Sequence, residues 1–287
     1  MKNKGTMNKK TLAGSRNKWN YVVKALFILL VITVLAYISL TQKSEYKADP
    51  ASEKIICEIA AKELKKDPND LTDEDFTKIT FLGVSTFSAT KGLADIKLLK
   101  KFTNLKLLSL ENISYPQNSI PKWMFVLSKF GILNLEKRFA LDLSPIRKIN
   151  TLETLYIWNT PVKDLKPLAN MTNLRLLSFV NAPITNFKPL ENLINLKELS
   201  ISGPALSNLE SIRHLVHLKE LHLSSRELSN LEYISELKNL EKLVFLECSN
   251  ISDEQIKNLQ KKLPNLKISN MRSNRNKRTN RTNNLPS

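Results

Sequence analysis

The stretch LETLYIWNTPVKDLKPLANMTN, residues 152–173, holds two patterns in one span of 22 residues. It opens with an alternation: Leu155 and Ile157 form one face of a short strand, Tyr156 and Trp158 the other. Residues two apart on a strand point the same way, so one of these apolar faces is left without an interior to enter. In the second half, Val162, Leu165, Leu168 and Met171 follow at intervals of three. Pro167 lies among them, where it forbids further strand and favours a short helical turn.

Displaced by 22 residues, the pattern recurs. Units begin at Phe130, Leu152, Leu174, Leu196, Leu218 and Leu240. Their third positions on are Leu133, Leu155, Leu177, Leu199, Leu221 and Leu243, followed two later by Leu135, Ile157, Phe179, Ile201, Leu223 and Phe245. Pro145, Pro167 and Pro189 share one position. Less regular units start at Ile79 and Leu105, 26 residues apart, and a step of 25 leads on to Phe130. SIPKWMFVL, residues 119–127, reads as a helix on the outer side of one of them. A unit this short buries its leucines only against its neighbours, so the expected fold is an α/β solenoid: strand, bend, helical turn and return, with the strands stacked in a parallel sheet.

These residues resemble the leucine-rich repeat superfamily, and the 22-residue unit is most similar to the bacterial internalin-like class. The resemblance rests on residues 152–173 and on NLRLLSFVNAPITNFKPLENLI, residues 173–194, with their L-x-x-L-x-L-like strand and later Pro-Leu pair. It covers residues 52–269 and implies a curved stack with a parallel inner sheet, helical caps and a concave face that binds partners. In one respect the chain departs from that class. The asparagine that many members place at the ninth position is replaced by Arg138, Thr160, Ala182, Pro204, Arg226 and Cys248, and asparagine stands one place earlier at Asn112, Asn159 and Asn181.

A solenoid exposes core leucines at its ends and needs caps. Residues 52–78 are expected to supply a helical cap, with Ile56, Ile59, Ala60 and Leu64 on one helical face and Thr72 with Asp75 forming a capping box. The repeats span 79–269 and end in a second cap over 252–268, where Ile256, Leu259 and Leu263 keep helical spacing.

The net charge of +17 belongs mostly to the chain ends: residues 1–24 carry seven Lys or Arg and residues 270–287 five, with no acid in either. A nucleic-acid-binding domain concentrates its charge on a folded face instead. Residues 25–40, ALFILLVITVLAYISL, are uncharged; with Trp19, Tyr21 and Tyr37 at the margins and Lys24 snorkelling, they are expected to cross a bilayer as a signal-anchor. Residues 1–24 then remain cytoplasmic, 41–51 form a linker, and the repeats lie outside the cytoplasm. The tail 270–287 lacks apolar periodicity and is expected to be disordered.

In the repeat register Tyr156 and Trp158 face solvent, with Val180 beside Trp158 and Leu176 at the margin. Aromatic residues of this kind are enriched among binding hot spots. The expectation is a protein-binding face built from Tyr156, Trp158, Leu176 and Val180, with Asn134, Asn159, Asn181, Glu198, Glu220 and His222 as polar surroundings. Alternative readings are an anionic polymer held by the basic tail, or an intracellular repeat protein resembling phosphatase regulators. Catalysis is not expected. His214, His217 and His222 fall on different sides of the unit, the acids of DPNDLTDEDF (67–76) match no glycine-containing calcium loop, and no phosphate-binding glycine loop occurs. No metal or cofactor is implied. Cys57 and Cys248 are expected at opposite ends of the stack as free thiols.

Overall fold

The structure is a computed structural model that describes residues 50–271 except 86–92, 94, 114–128, 130–139, 183, 185, 204, 205, 207 and 208. All of these belong to the unit Ala48–Ser287. The expected segment 1–24, the membrane helix 25–40, the linker up to residue 49, the outer helix 119–127 and the tail from residue 272 lie outside the described residues. Among the described residues no helix is long and apolar enough to cross a membrane.

Strands β1 (Phe81–Ser85), β2 (Leu107–Glu111), β3 (Thr154–Trp158), β4 (Leu176–Val180), β5 (Glu198–Ser202), β6 (Glu220–Ser224), β7 (Lys242–Leu246) and β8 (Lys267–Met271) form one sheet in chain order. Every neighbouring pair is parallel and unshifted, so Leu155, Leu177, Leu199 and Leu221 form one column and Ile157, Phe179, Ile201 and Leu223 the next. These columns are buried and join the unit-opening leucines and the returning segments in one continuous apolar core. A buried leucine contributes about 1.5–3 kcal/mol, and each contributes only because the next rung covers it.

The return is a 3-10 turn, as at Lys166–Leu168 and Lys188–Asn192. Pro167 and Pro189 sit in its first positions, where no backbone donor is needed. Just ahead, the carboxylate of Asp164 and the amide oxygen of Asn186 accept from the backbone N–H of Lys166 (2.9 Å) and Lys188 (3.0 Å). Asp142 and Asn230 repeat this for Ser144 and Glu232. The recurring Asp or Asn two residues before the turn is a capping signal that hydrophobic spacing does not reveal.

The unit expected at Phe130 is corrected. Strand β2 pairs directly with β3, Leu108 against Leu155 and Leu110 against Ile157, so no strand from residues 130–136 stands between them. The return of the β2 rung is made by Leu143, Ile146 and Ile149, which are buried in the common core. The rung from Leu105 to Leu152 therefore spans 47 residues, the steps of 25 and 22 being one unit whose added length falls between its strand and its return in the sequence. Leu133, Leu135 and Asn134 lie outside the described residues. Length added at a bend disturbs neither the strand nor the return, because both still meet their neighbours.

The first cap consists of α1 (Pro50–Leu64) and α2 (Asp73–Lys78). Helix α1 starts two residues earlier than expected: Pro50 and Ala51 form its first turn rather than the end of a linker. Ile56 and Ala60 are buried, with Ile59 and Leu64 half-buried beside them. Asp75 is 1% exposed at its side chain. Its carboxylate accepts from the backbone N–H and hydroxyl of Thr72 (3.0 and 2.9 Å), from Lys66 (2.8 Å) and from Lys78 (3.2 Å). The Lys66 bond foremost, then those from Thr72, hold its carboxyl well below the usual aspartate range. This carboxylate is thus matched by two ammonium groups.

At the other end, α3 (Asp253–Lys262) is closed by a Ser252–Gln255 capping box and buries Leu259. The expectation that disorder begins at residue 270 is also corrected at its start: Lys267–Met271 forms β8, pairing Ile268 with Leu243 and Asn270 with Phe245. An asparagine in a core column hides the strand from a hydrophobicity reading, and Asn270 Oδ1 is buried without a partner among the described residues. Cys57 lies on α1 and Cys248 beyond β7, both as free thiols.

Two outcomes follow. Phe179→Ala should cost about 3–5 kcal/mol in urea unfolding, since the cavity is walled by two rungs that cannot both collapse onto it. Asp75 has a depressed folded pKa, so its contribution is present above the unfolded value of about 3.9 and is lost as pH falls through the folded one. Asp75→Asn should therefore be less stable than the parent at neutral pH, and the difference should shrink when unfolding is followed below about pH 4.

Candidate functional site

Each strand sends its second and fourth residues inward, leaving the first, third and fifth on the open face. Across that face the third-residue row runs Ser109, Tyr156, Ser178, Ser200, His222, Val244. The fifth-residue row runs Glu111, Trp158, Val180, Ser202, Ser224, Leu246. Trp158 is 47% exposed, while Tyr156, Leu176 and Val180 are half-buried. Beside Tyr156 and Trp158 on the β2 side stand Ser109 and Glu111, not the expected Asn134.

The expected residues divide into two groups. Tyr156, Leu176, Glu198, Glu220 and His222 line one shallow depression of about 230 Å³, floored by Ser178 and Ser200. Two small serines between a tyrosine and a histidine leave the sheet low there, over two strand steps of about 4.8 Å. Trp158 and Val180 stand next to each other at the exit end of the strands. On the depression's far wall, Glu220 Oε1 lies 2.5 Å from His222 Nε2 and also accepts from Lys242. The ammonium of Lys242 first, and His222 second, hold the Glu220 carboxyl below the ordinary glutamate range. Lys242 was absent from the expected site because only the cross-strand register brings it to Glu220.

Asn159 and Asn181 shape the rim instead of lining the depression. Both are in the left-handed region, as is Asn112, at φ 45°, 53° and 52°. Their backbone N–H groups donate to the next rung, Asn159 to Val180 O at 2.9 Å and Asn181 to Ser202 O at 3.1 Å. Asn159 Nδ2 donates to Asn112 Oδ1 (3.0 Å) and Asn181 Nδ2 to Asn159 Oδ1 (2.8 Å), a ladder along the exit edge. Asparagine tolerates this conformation better than other side chains. At the ninth position of its unit stands Thr160, whose buried hydroxyl donates to Trp158 O (2.8 Å) and accepts from Ile113 N–H (3.1 Å). Cys248 holds the equivalent place near Leu223 O and Leu246 O, both at 3.5 Å.

A second depression, about 510 Å³, runs along the entry side of the strands. It is lined by residues flanking the unit-opening leucine: Asn173 and Arg175, Asn195 and Lys197, His217 and Lys219, Asn239 and Glu241. Sequence reasoning missed it, although the recurring Asn-Leu-Arg and Asn-Leu-Lys triplets carry the signal. The three histidines do not converge: His214 is exposed on the return, His217 lies in this groove and His222 on the open face.

Two solved structures share this architecture. An internalin (inlF) from Listeria monocytogenes superposes with a TM-score of 0.55 at 22% identity, covering 80% of this chain and 62% of its own. Internalin C2 from the same organism does so with a TM-score of 0.51 at 23% identity, covering 78% of this chain and 93% of its own. The fold is an internalin-like leucine-rich repeat. The chain spans less than two thirds of the length of the first of these internalins. No protein-family model matches the sequence, and no curated protein does.

The exit-edge ladder makes a further outcome measurable. Asn159→Gly should keep the stability of the parent within a few tenths of a kcal/mol beyond the two lost amide bonds, whereas Asn159→Val should cost a further ~1–2 kcal/mol, because a β-branched residue resists positive φ. Urea midpoints of the two variants compare them directly.

Proposed function

We propose that this chain is a binding protein whose repeat module docks another protein on the open face of the sheet, around Tyr156 and Trp158. The observation that carries the reading is the half-exposed Trp158 next to Val180, with Tyr156 and Leu176 at the lip of a shallow depression. A solenoid gives its inward positions to the core and leaves outward ones free, so large apolar residues outward have no structural task in their own rung. Exposed apolar surface of this kind marks interaction sites. Glu198, Glu220 with Lys242, and His222 supply polar surroundings that orient a partner.

The same proposal includes its placement. The uncharged run 25–40 after seven basic residues supports a membrane anchor, with the repeats held outside the cytoplasm. Proteases added to intact cells should then remove the repeats; protection of the repeats from protease would overturn the placement while leaving the binding face untouched.

The face itself is tested by the double variant Tyr156→Ser and Trp158→Ser. A photo-crosslinking residue in place of Val180 should capture the partner in intact cells, and purified partner should bind the double variant more weakly by about 2 kcal/mol or more. Undiminished affinity in the double variant, with an unchanged urea midpoint, would sink the site.

A further inference from the structure

The groove on the entry side of the strands has a chemistry of its own. Arg175, Lys197 and Lys219 occupy one row on three successive rungs. Adjacent rungs are about 4.8 Å apart, so the row offers one cation per step. Arg175 meets Glu153 at 3.8 Å and Lys219 meets Glu241 at 2.7 Å, both between exposed side chains. Such pairs yield readily to a competing anion. Lys197, on the middle rung, has no carboxylate at ion-pair distance among the described residues.

The other wall is built of carboxamides on three rungs and of His217 on the fourth. Asn173, Asn195 and Asn239 each donate one amide N–H to a carbonyl of the preceding rung, to Asn150 O at 2.6 Å, Thr172 O at 2.9 Å and Val216 O at 2.7 Å. That bond fixes each side chain and leaves a second N–H and the amide oxygen for a ligand. A pinned amide with a donor and an acceptor suits a hydroxyl group. Ile194 and Val216, the residues immediately before Asn195 and His217, stand 48% and 49% exposed and add apolar surface next to the groove.

We propose that this groove binds a linear acidic polysaccharide, one sugar ring per rung, its carboxylates paired with Arg175, Lys197 and Lys219 and its hydroxyls with the asparagine amides. One rung is close to the length of one pyranose ring, so successive sugar residues recur at about the spacing of the rungs. Among the described residues no Phe, Tyr or Trp lines the groove and His217 is its single ring, whereas single-stranded nucleic acid stacks its successive bases on a series of aromatic platforms. The site is separate from the open face around Trp158 and does not depend on a partner docking there.

The test uses the full chain and an octamer of galacturonic acid, with its neutral methyl ester and an oligothymidylate of equal length as comparators. The octamer should bind, its affinity should fall as salt rises, and both comparators should bind more weakly. Arg175→Gln with Lys197→Gln should weaken octamer binding by about tenfold. Lys261→Gln with Lys262→Gln, the same charge loss on the exposed face of α3, should leave it unchanged. Asn195→Ala should weaken binding without altering the salt slope, which distinguishes hydroxyl recognition from general attraction to polyanions. Absence of octamer binding, equal binding of the oligothymidylate, or equal loss in the groove and α3 variants would each overturn the proposal. The Tyr156→Ser, Trp158→Ser variant should bind the octamer as the parent does, which keeps failure of one surface distinct from failure of the other.

Discussion

The structure depends on rungs that stack without a shift in register. One rung of strand and 3-10 return has no interior of its own: Leu177 and Phe179 are buried because Leu155 and Ile157 cover one side and Leu199 and Ile201 the other. Backbone bonding imposes the same condition, since each strand satisfies its donors and acceptors on its two neighbours. Stability is therefore a matter of neighbours and of ends. The ends are where the chain departs from its repeat. Helix α1 lays Ile56 and Ala60 over the first rung, and the buried carboxylate of Asp75 fastens the following turn. At the other end α3 and β8 cover the last one.

The bend after each strand is the second constraint. There the chain must leave the sheet sharply, and Asn112, Asn159 and Asn181 do so at positive φ while bonding one another in a row. Thr160 and Cys248 fill the buried corner beneath that turn with a hydroxyl and a thiol in place of a carboxamide. A bend that is closed locally by its own side chains does not care how long the following connection is. That explains how the rung from Leu105 to Leu152 spans 47 residues while β2 and β3 still pair in register.

Inward positions of β1 to β7 are all aliphatic or aromatic because each must fill the same volume; outward positions carry no such demand. The open face therefore varies from rung to rung, from Tyr156 and Trp158 through serines to His222 and Val244. The entry edge varies less, because its asparagines also tie one rung to the preceding one. Two surfaces of different chemistry result on one scaffold, one apolar with paired charges and one of cations and amides joined by His217 and Glu241.

The sequence by itself determined the period, the inward columns, the parallel order and the outward placement of Tyr156, Trp158, Leu176 and Val180. Spacing is a local property of a repeat, and the same leucine at the same interval has one way to be buried. It also disclosed both capping helices through their apolar faces and capping residues. Only the tertiary structure decided what spacing leaves ambiguous. FGILNLEKRF, residues 130–139, imitates a strand rung as well as its neighbours do, and only the pairing of Leu108 with Leu155 shows that no further rung stands between β2 and β3. Strand β8 hides behind Asn270, which has strand geometry without strand hydrophobicity. The pairing of Glu220 with Lys242, and the row of Arg175, Lys197 and Lys219, likewise arise across rungs 22 residues apart. Polar contacts of this kind follow from which rungs lie side by side, and that is fixed by packing in three dimensions rather than by any interval along the chain.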